Sequence, residues 1–188
     1  MDDTASDDRA TQMKLAIIGA FDELSKTRPF SRLGVAAVAK KLGISRSTFY
    51  YHFKDRNDAV RWISVRAFEQ GIDQIGRTLT WFEGHLVTTR MLCEYRHLIT
   101  AAAEDISYSG AALFYRRYRT ATLEQTLKMR GIELDEDLSF QIAALAAAEQ
   151  QMTVSFIRGD FGEMSAPSFC KRIASIVPQD LKDALELQ

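Results

Sequence analysis

Cysteine is nearly absent from this sequence of 188 residues. Cys93 and Cys170 are too few for a disulfide scaffold, and neither has metal-ligand spacing around it, so both read as buried or idle thiols of a reducing compartment. Three prolines and ten glycines exclude collagen-like, Pro-rich and low-complexity architectures. Long apolar runs are missing too. The longest uncharged ones, LAIIGAF and IAALAAA, have seven residues each, and a bilayer span takes ~20. The acidic start MDDTASDD lacks the apolar stretch of a signal peptide, so the expected location is cytoplasmic. There is no Gly-x-Ser-x-Gly elbow, phosphate-binding lysine loop, dinucleotide glycine motif or metal set. The expectation is a non-enzyme with no cofactor and no metal.

Strand signals are equally scarce, with no Asn-Gly or Asp-Gly hairpin turn and no sustained alternation. What is present is helical periodicity along the whole chain. Leu15, Ile18, Phe21 and Leu24 place a helix over residues 10–26, ended by Thr27-Arg28-Pro29. A short helix follows from Val35 to Leu42, another over 45–51, and a longer one from Asp55 to about Leu79. Further segments near 86–106, 109–130, 137–158, 166–176 and 179–187 give eight to ten helices, an all-α fold.

Charge is unevenly distributed. Residues 1–8 hold four acids and read as a disordered tail. Residues 9–62 hold eleven Lys/Arg against four Asp/Glu, whereas the remainder is mildly acidic. A basic module on an acidic body is a nucleic-acid pattern, although solvated basic faces are common.

Within the basic module lies VAAVAKKLGISRSTFYYHF, residues 35–53. Two short helices meet at Gly43, which is free to take a left-handed turn, and Ala39 is small enough for a close crossing. Val38, Leu42, Ile44 and Phe49 supply an apolar seam. Ser45 offers an N-cap hydroxyl. The second helix keeps a polar outer face of Arg46, Ser47, Thr48 and Tyr50, as a helix in the major groove requires. Arg46 can give two donors to a guanine edge. Thr48, Tyr50, Lys54 and Arg56 suit phosphate oxygens. Ordinary helical corners share the Ala-x-x-x-Gly pattern, so the flanks must decide.

Those flanks resemble the TetR family of bacterial transcription regulators. The resemblance runs from Leu15 to Val60, through LAIIGAFDEL, VAAVAKKLGIS, STFYYHF and KDRNDAV, and Tyr50-x-His52-Phe53 after Gly43-Ile44-Ser45 is its most specific part. It implies an N-terminal three-helix helix-turn-helix DNA-binding domain over residues 9–54 and a C-terminal helical ligand-binding and dimerisation domain over 55–188. Ser45 would cap the recognition helix, Arg46, Ser47 and Thr48 would read bases and phosphates, and Tyr50, His52, Lys54 and Arg56 would face the backbone. Two positions depart from the family pattern. Gly34 stands where a capping hydroxyl often touches phosphate, and Arg56 stands where lysine is usual.

The resemblance further implies a homodimeric repressor on a palindromic operator in double-stranded DNA, released by a small-molecule effector not identified by the sequence. Candidate interface residues are Phe140, Ala144, Ala147, Ala148, Gln151 and Ser155 on one helical face, with Phe169, Ile173 and Ile176 on another, although such alanines also pack inside single subunits. Candidate pocket residues are Trp81, Phe82, His85, Tyr95, His97, Phe114, Tyr115 and Tyr118; aromatics at helical spacing are more often plain core. The run Arg116-Arg117-Tyr118-Arg119 could pair with an anionic ligand or form a solvated face. The competing function is a helical protein-interaction module that has lost specific DNA binding, which the acidic tail and Gly34 favour slightly.

Overall fold

The structure is a computed structural model that describes residues 3–105 and 110–185, with the side chains of residues 3–6 left undescribed. Among these residues it has ten α-helices and no strand longer than a single isolated bridge between Ile75 and Leu79. The helices are α1 (Asp3–Ser25), α2 (Val35–Leu42), α3 (Arg46–His52), α4 (Arg56–Gln70), α5 (Trp81–Cys93), α6 (Arg96–Glu104), α7 (Gly110–Met129), α8 (Glu136–Arg158), α9 (Ala166–Ser175) and α10 (Gln179–Leu185). Short 3-10 turns occur at Phe30–Arg32 and Ile72–Gln74. The all-α class is as expected. No described helix is long and apolar enough to cross a membrane.

The chain divides into two compact units, one of Met1–Val65 with Tyr95–Tyr108, the other of Arg66–Glu94 with Ser109–Gln188. The boundary expected from the sequence followed residue 54; in this division α6 joins the first unit. In that unit α1 packs on α2, α3 and α6. Ile17, Ile18, Phe21, Phe30, Leu33, Val38, Phe49, Ile63 and Leu98 fill its core. Phe21 meets Phe49 edge to face at 5.9 Å. α1 begins at Asp3. Asp22, 7% exposed, accepts the Leu98 amide at 2.9 Å. It thus caps α6 from another helix, where Tyr95 gives no side-chain cap.

In the second unit α5 packs on α9, α7 on α8, and α8 on α10. α4 stops at Gln70 instead of continuing to Leu79. The Thr88 hydroxyl ends it by donating to the Ala67 carbonyl and accepting the Ile72 amide. That approach needs Gly71, because a Cβ there would lie 2.1 Å from Thr88 Oγ1. α5 starts at a capping box in which Thr80 and Glu83 satisfy each other's backbone amides.

The segment expected as one helix over 86–106 is two, α5 and α6, with the break at Glu94 and Tyr95. The expected turn at Tyr108-Ser109-Gly110 lies largely outside the described residues.

Candidate nucleic-acid interface

α2 and α3 form the turn expected from the sequence. Gly43 takes φ 66°, ψ 25°, and the Ile44 amide returns to the Ala39 carbonyl at 3.0 Å, closing α2 in a Schellman-type turn. Ser45 caps α3 by accepting the Thr48 amide at 2.9 Å. Its hydroxyl also lies 2.7 Å from Ser47 Oγ and 2.8 Å from Thr48 Oγ1. The first turn of α3 is therefore a closed hydroxyl cluster, and Thr48 is partly engaged in it.

Phe49 and Phe53, one turn apart, are both buried and fix which face of α3 points inward. The opposite face carries Arg46 and Ser47, both exposed, Tyr50 at 51% exposure and Tyr51 at 83%. Tyr51 was not among the expected contacts, although the Phe49/Phe53 spacing alone places it opposite the core. His52 is half-buried, with its ring edge-on to Tyr51 at 5.0 Å. Burial, with the Lys14 ammonium adding to it, holds its pKa below the ordinary 6.5.

Lys54 is exposed, and its backbone amide is tied to Asp58. Arg56 differs from expectation. Its Nη1 donates to the Ser31 carbonyl at 3.0 Å and its guanidinium stacks over Phe30 at 5.0 Å, so part of its donor set is turned inward. Gly34 is the exposed N-cap of α2 with no side-chain cap, and a Cβ there would meet open space. Lys14 sits over the rings of Trp62, at 5.2 Å, and Phe53, at 5.9 Å. Sequence periodicity gave no reason to single it out.

The residues expected to line a pocket do not all come together. In the second unit Arg119 and Glu149, both wholly buried, form an ion pair with Nε at 2.8 Å from Oε2 and Nη2 at 3.3 Å from Oε1. Arg119 Nη1 also donates to the Ile72 carbonyl. Around the pair gather His85, whose Nε2 lies 3.1 Å from Glu149 Oε1 without hydrogen-bond alignment, and Tyr115, whose hydroxyl reaches Oε2 at 3.3 Å. Trp81 stacks with His85 at 6.3 Å between ring centroids, and the Arg119 guanidinium lies over the Trp81 ring at 5.7 Å. The Tyr118 hydroxyl donates to Asp73 Oδ2 at 2.6 Å.

Burial alone would raise the Glu149 carboxyl, but Arg119 and His85 reverse this and hold it at about 2. Burial first, then Glu149, pushes the Tyr115 hydroxyl well above the usual phenol range. The Phe114 ring lies tilted against that of Tyr118, 5.8 Å between centroids. Phe82 instead packs against the cluster of Phe169, Cys170 and Ile173, while Tyr95, the N-cap residue of α6, and His97 within α6 belong to the first unit. The break after Glu94 is the cause, since it commits the chain beyond it to α1.

The expected interface residues also separate. Phe140 is 75% exposed, Ala144 and Gln151 are exposed, Ala147 and Ala148 are half-exposed, and Ile176 is 51% exposed. Phe169, Ile173 and Ser155, also expected at the interface, are buried within the unit. The stripe of α9 faces α5, so Phe169 and Ile173 close a core cluster with Cys170, flanked by Phe82, Leu86, Met152 and Phe156.

A capped helix-turn-helix with an exposed basic and aromatic outer face defines a DNA-binding transcription regulator. Residues 17–60 match the family model described as bacterial regulatory proteins, tetR family. No curated protein matches the chain in sequence. Among solved structures it is similar to the dihydroxyacetone kinase operon activator DhaS, with 19% identity and a TM-score of 0.64 over 90% of this chain and 96% of that one. A TetR transcriptional regulator from Rhodococcus sp. RHA1 matches with 20% identity and a TM-score of 0.48 over 87% and 94%.

Proposed function

We propose that the protein is a dimeric repressor that reads a palindromic operator with α3 and is released by a small-molecule effector bound in the second unit. The observation that carries the reading is the outer face of α3. Arg46, Ser47, Tyr50 and Tyr51 are presented from a helix locked by Phe49, Phe53 and the Ser45 cap. Arg46 supplies base readout. Tyr50, Tyr51, His52 and Lys54 supply phosphate contacts, with Gly34 offering a backbone amide and Arg56 its remaining donors.

One helix-turn-helix covers one half-site, so tight specificity takes two copies. The exposed Phe140, Ala144 and Gln151 on α8 support self-association through that helix. The buried Arg119–Glu149 network supports a regulatory role for the second unit, because buried charges are costly to keep and specify one arrangement of α7 against α8.

The test is genome-wide DNA pull-down with the purified protein, repeated with Arg46→Ala. Wild type is expected to enrich one palindromic site with steep salt dependence, and the variant to lose it. Enrichment of nothing at low salt would overturn the DNA-reading claim and favour the interaction-module alternative. Unchanged operator affinity across effector candidates would remove the release step alone.

A further inference from the structure

The three arginines of the run 116–119 have three different fates. Arg119 is buried against Glu149, and exposed Arg116 folds back on the Ala112 carbonyl. Exposed Arg117 makes no hydrogen bond or ion pair among the described residues. It opens on a shallow, solvent-open recess of about 410 Å³ whose described lining, Gly110, Leu113, Phe114, Arg117 and Tyr118, is one face of α7. That volume falls in the range of small-molecule sites, which pair apolar walls with a few polar anchors. Leu113, 45% exposed, and the tilted Phe114–Tyr118 ring pair form the apolar walls.

We propose that this recess binds an apolar carboxylate, an acid with a hydrocarbon or aromatic body, whose carboxylate pairs with Arg117 while its body lies on Leu113, Phe114 and Tyr118. A guanidinium with its donors free matches a carboxylate in two parallel hydrogen bonds. The surrounding apolar wall disfavours a strongly hydrated inorganic anion. The site also has a route inward: Tyr118, which lines it, donates to Asp73 Oδ2. The neighbouring Ile72 carbonyl takes Arg119 Nη1, and Arg119 holds Glu149 on α8. A ligand that moves Tyr118 therefore acts on the ion pair between α7 and α8. In taking this ligand for the effector, the inference rests on the release mechanism proposed above.

The experiment is calorimetric titration of the full chain with octanoate, phenylacetate, and the neutral octanol and phenylethanol, on wild type, Arg117→Met and Leu113→Glu. Both variants alter exposed positions, and thermal unfolding checks that they fold. Saturable binding of either acid, weakened roughly ten- to hundredfold by Arg117→Met and abolished by Leu113→Glu, with the alcohols no tighter on wild type than on Arg117→Met, supports the site. Octanoate and phenylacetate distinguish a straight-chain from an aromatic occupant. No saturable acid binding, or binding indifferent to Arg117→Met, overturns it. Operator affinity measured with the bound acid then separates the two readings: Arg117-dependent binding that leaves DNA affinity unchanged keeps the site and removes its role as effector site.

Discussion

Arg119 and Glu149 hold each other through two hydrogen bonds while neither exposes more than 1% of its side chain. A charge so placed depends wholly on its partner. Glu149→Gln leaves Arg119 buried beside a neutral amide and is expected to cost about 3–5 kcal/mol of stability. Urea unfolding measures this. The double variant Arg119→Met, Glu149→Gln is expected to lose less than the sum of its single changes, since it removes both charges.

The same pair sets a pH dependence. The Glu149 carboxyl is held at about 2 from an ordinary 4.5. A carboxyl lowered in the folded state contributes stability that is fully present above 4.5 and is lost as pH falls toward 2. Wild type should therefore lose stability more steeply than Glu149→Gln between pH 4.5 and 2. Unfolding midpoints taken across that interval decide it, and parallel curves would contradict the pairing.

Gly43 supplies a second stability test. Its φ of 66° suits glycine, and a Cβ there meets no atom within 4 Å. The cost of Gly43→Ala is thus purely conformational, about 1–2 kcal/mol. A far larger loss would mean the turn is packed more tightly than described. Operator binding should survive wherever the variant is folded.

Tyr51 separates stability from recognition. At 83% exposure its loss in Tyr51→Ala should change unfolding by less than about 0.5 kcal/mol. Operator affinity should fall by about 1 kcal/mol as a phosphate contact disappears. Equal affinity in a gel-shift titration would remove Tyr51 from the interface.

Self-association is tested by contrast. Phe140→Asp places a charge on an exposed ring position and should shift the protein toward monomer in sedimentation with its melting temperature kept. Phe169→Ala, at a site 3% exposed, should cost about 3–5 kcal/mol of folding stability instead.

The helix-turn-helix was legible in the sequence because its signals are local. Gly43, Ser45 and the Phe49/Phe53 spacing each act within a turn or two of chain, and α2 appears with the expected bounds. What escaped depends on distant partners. Nothing near Arg119 in the chain reveals Glu149 as its partner, so one arginine of a basic run became core while its neighbours stayed outside. Phe169 and Ile173 form a regular stripe, but periodicity does not tell whether the stripe meets α5 or another copy. The end of α4 was missed because the residue that terminates it, Thr88, lies on a later helix.

The bond from Asp22 to the Leu98 amide joins positions 76 apart in the chain. The DNA-reading unit is therefore written in two pieces, and its first piece alone lacks the helix start that Asp22 exists to satisfy. During synthesis the unit stays unfinished until α6 has left the ribosome, with a carboxylate waiting among apolar neighbours. A gene fragment ending after α4 encodes an incomplete reader. Recombination that exchanges such readers between regulators must carry the later piece along with the first.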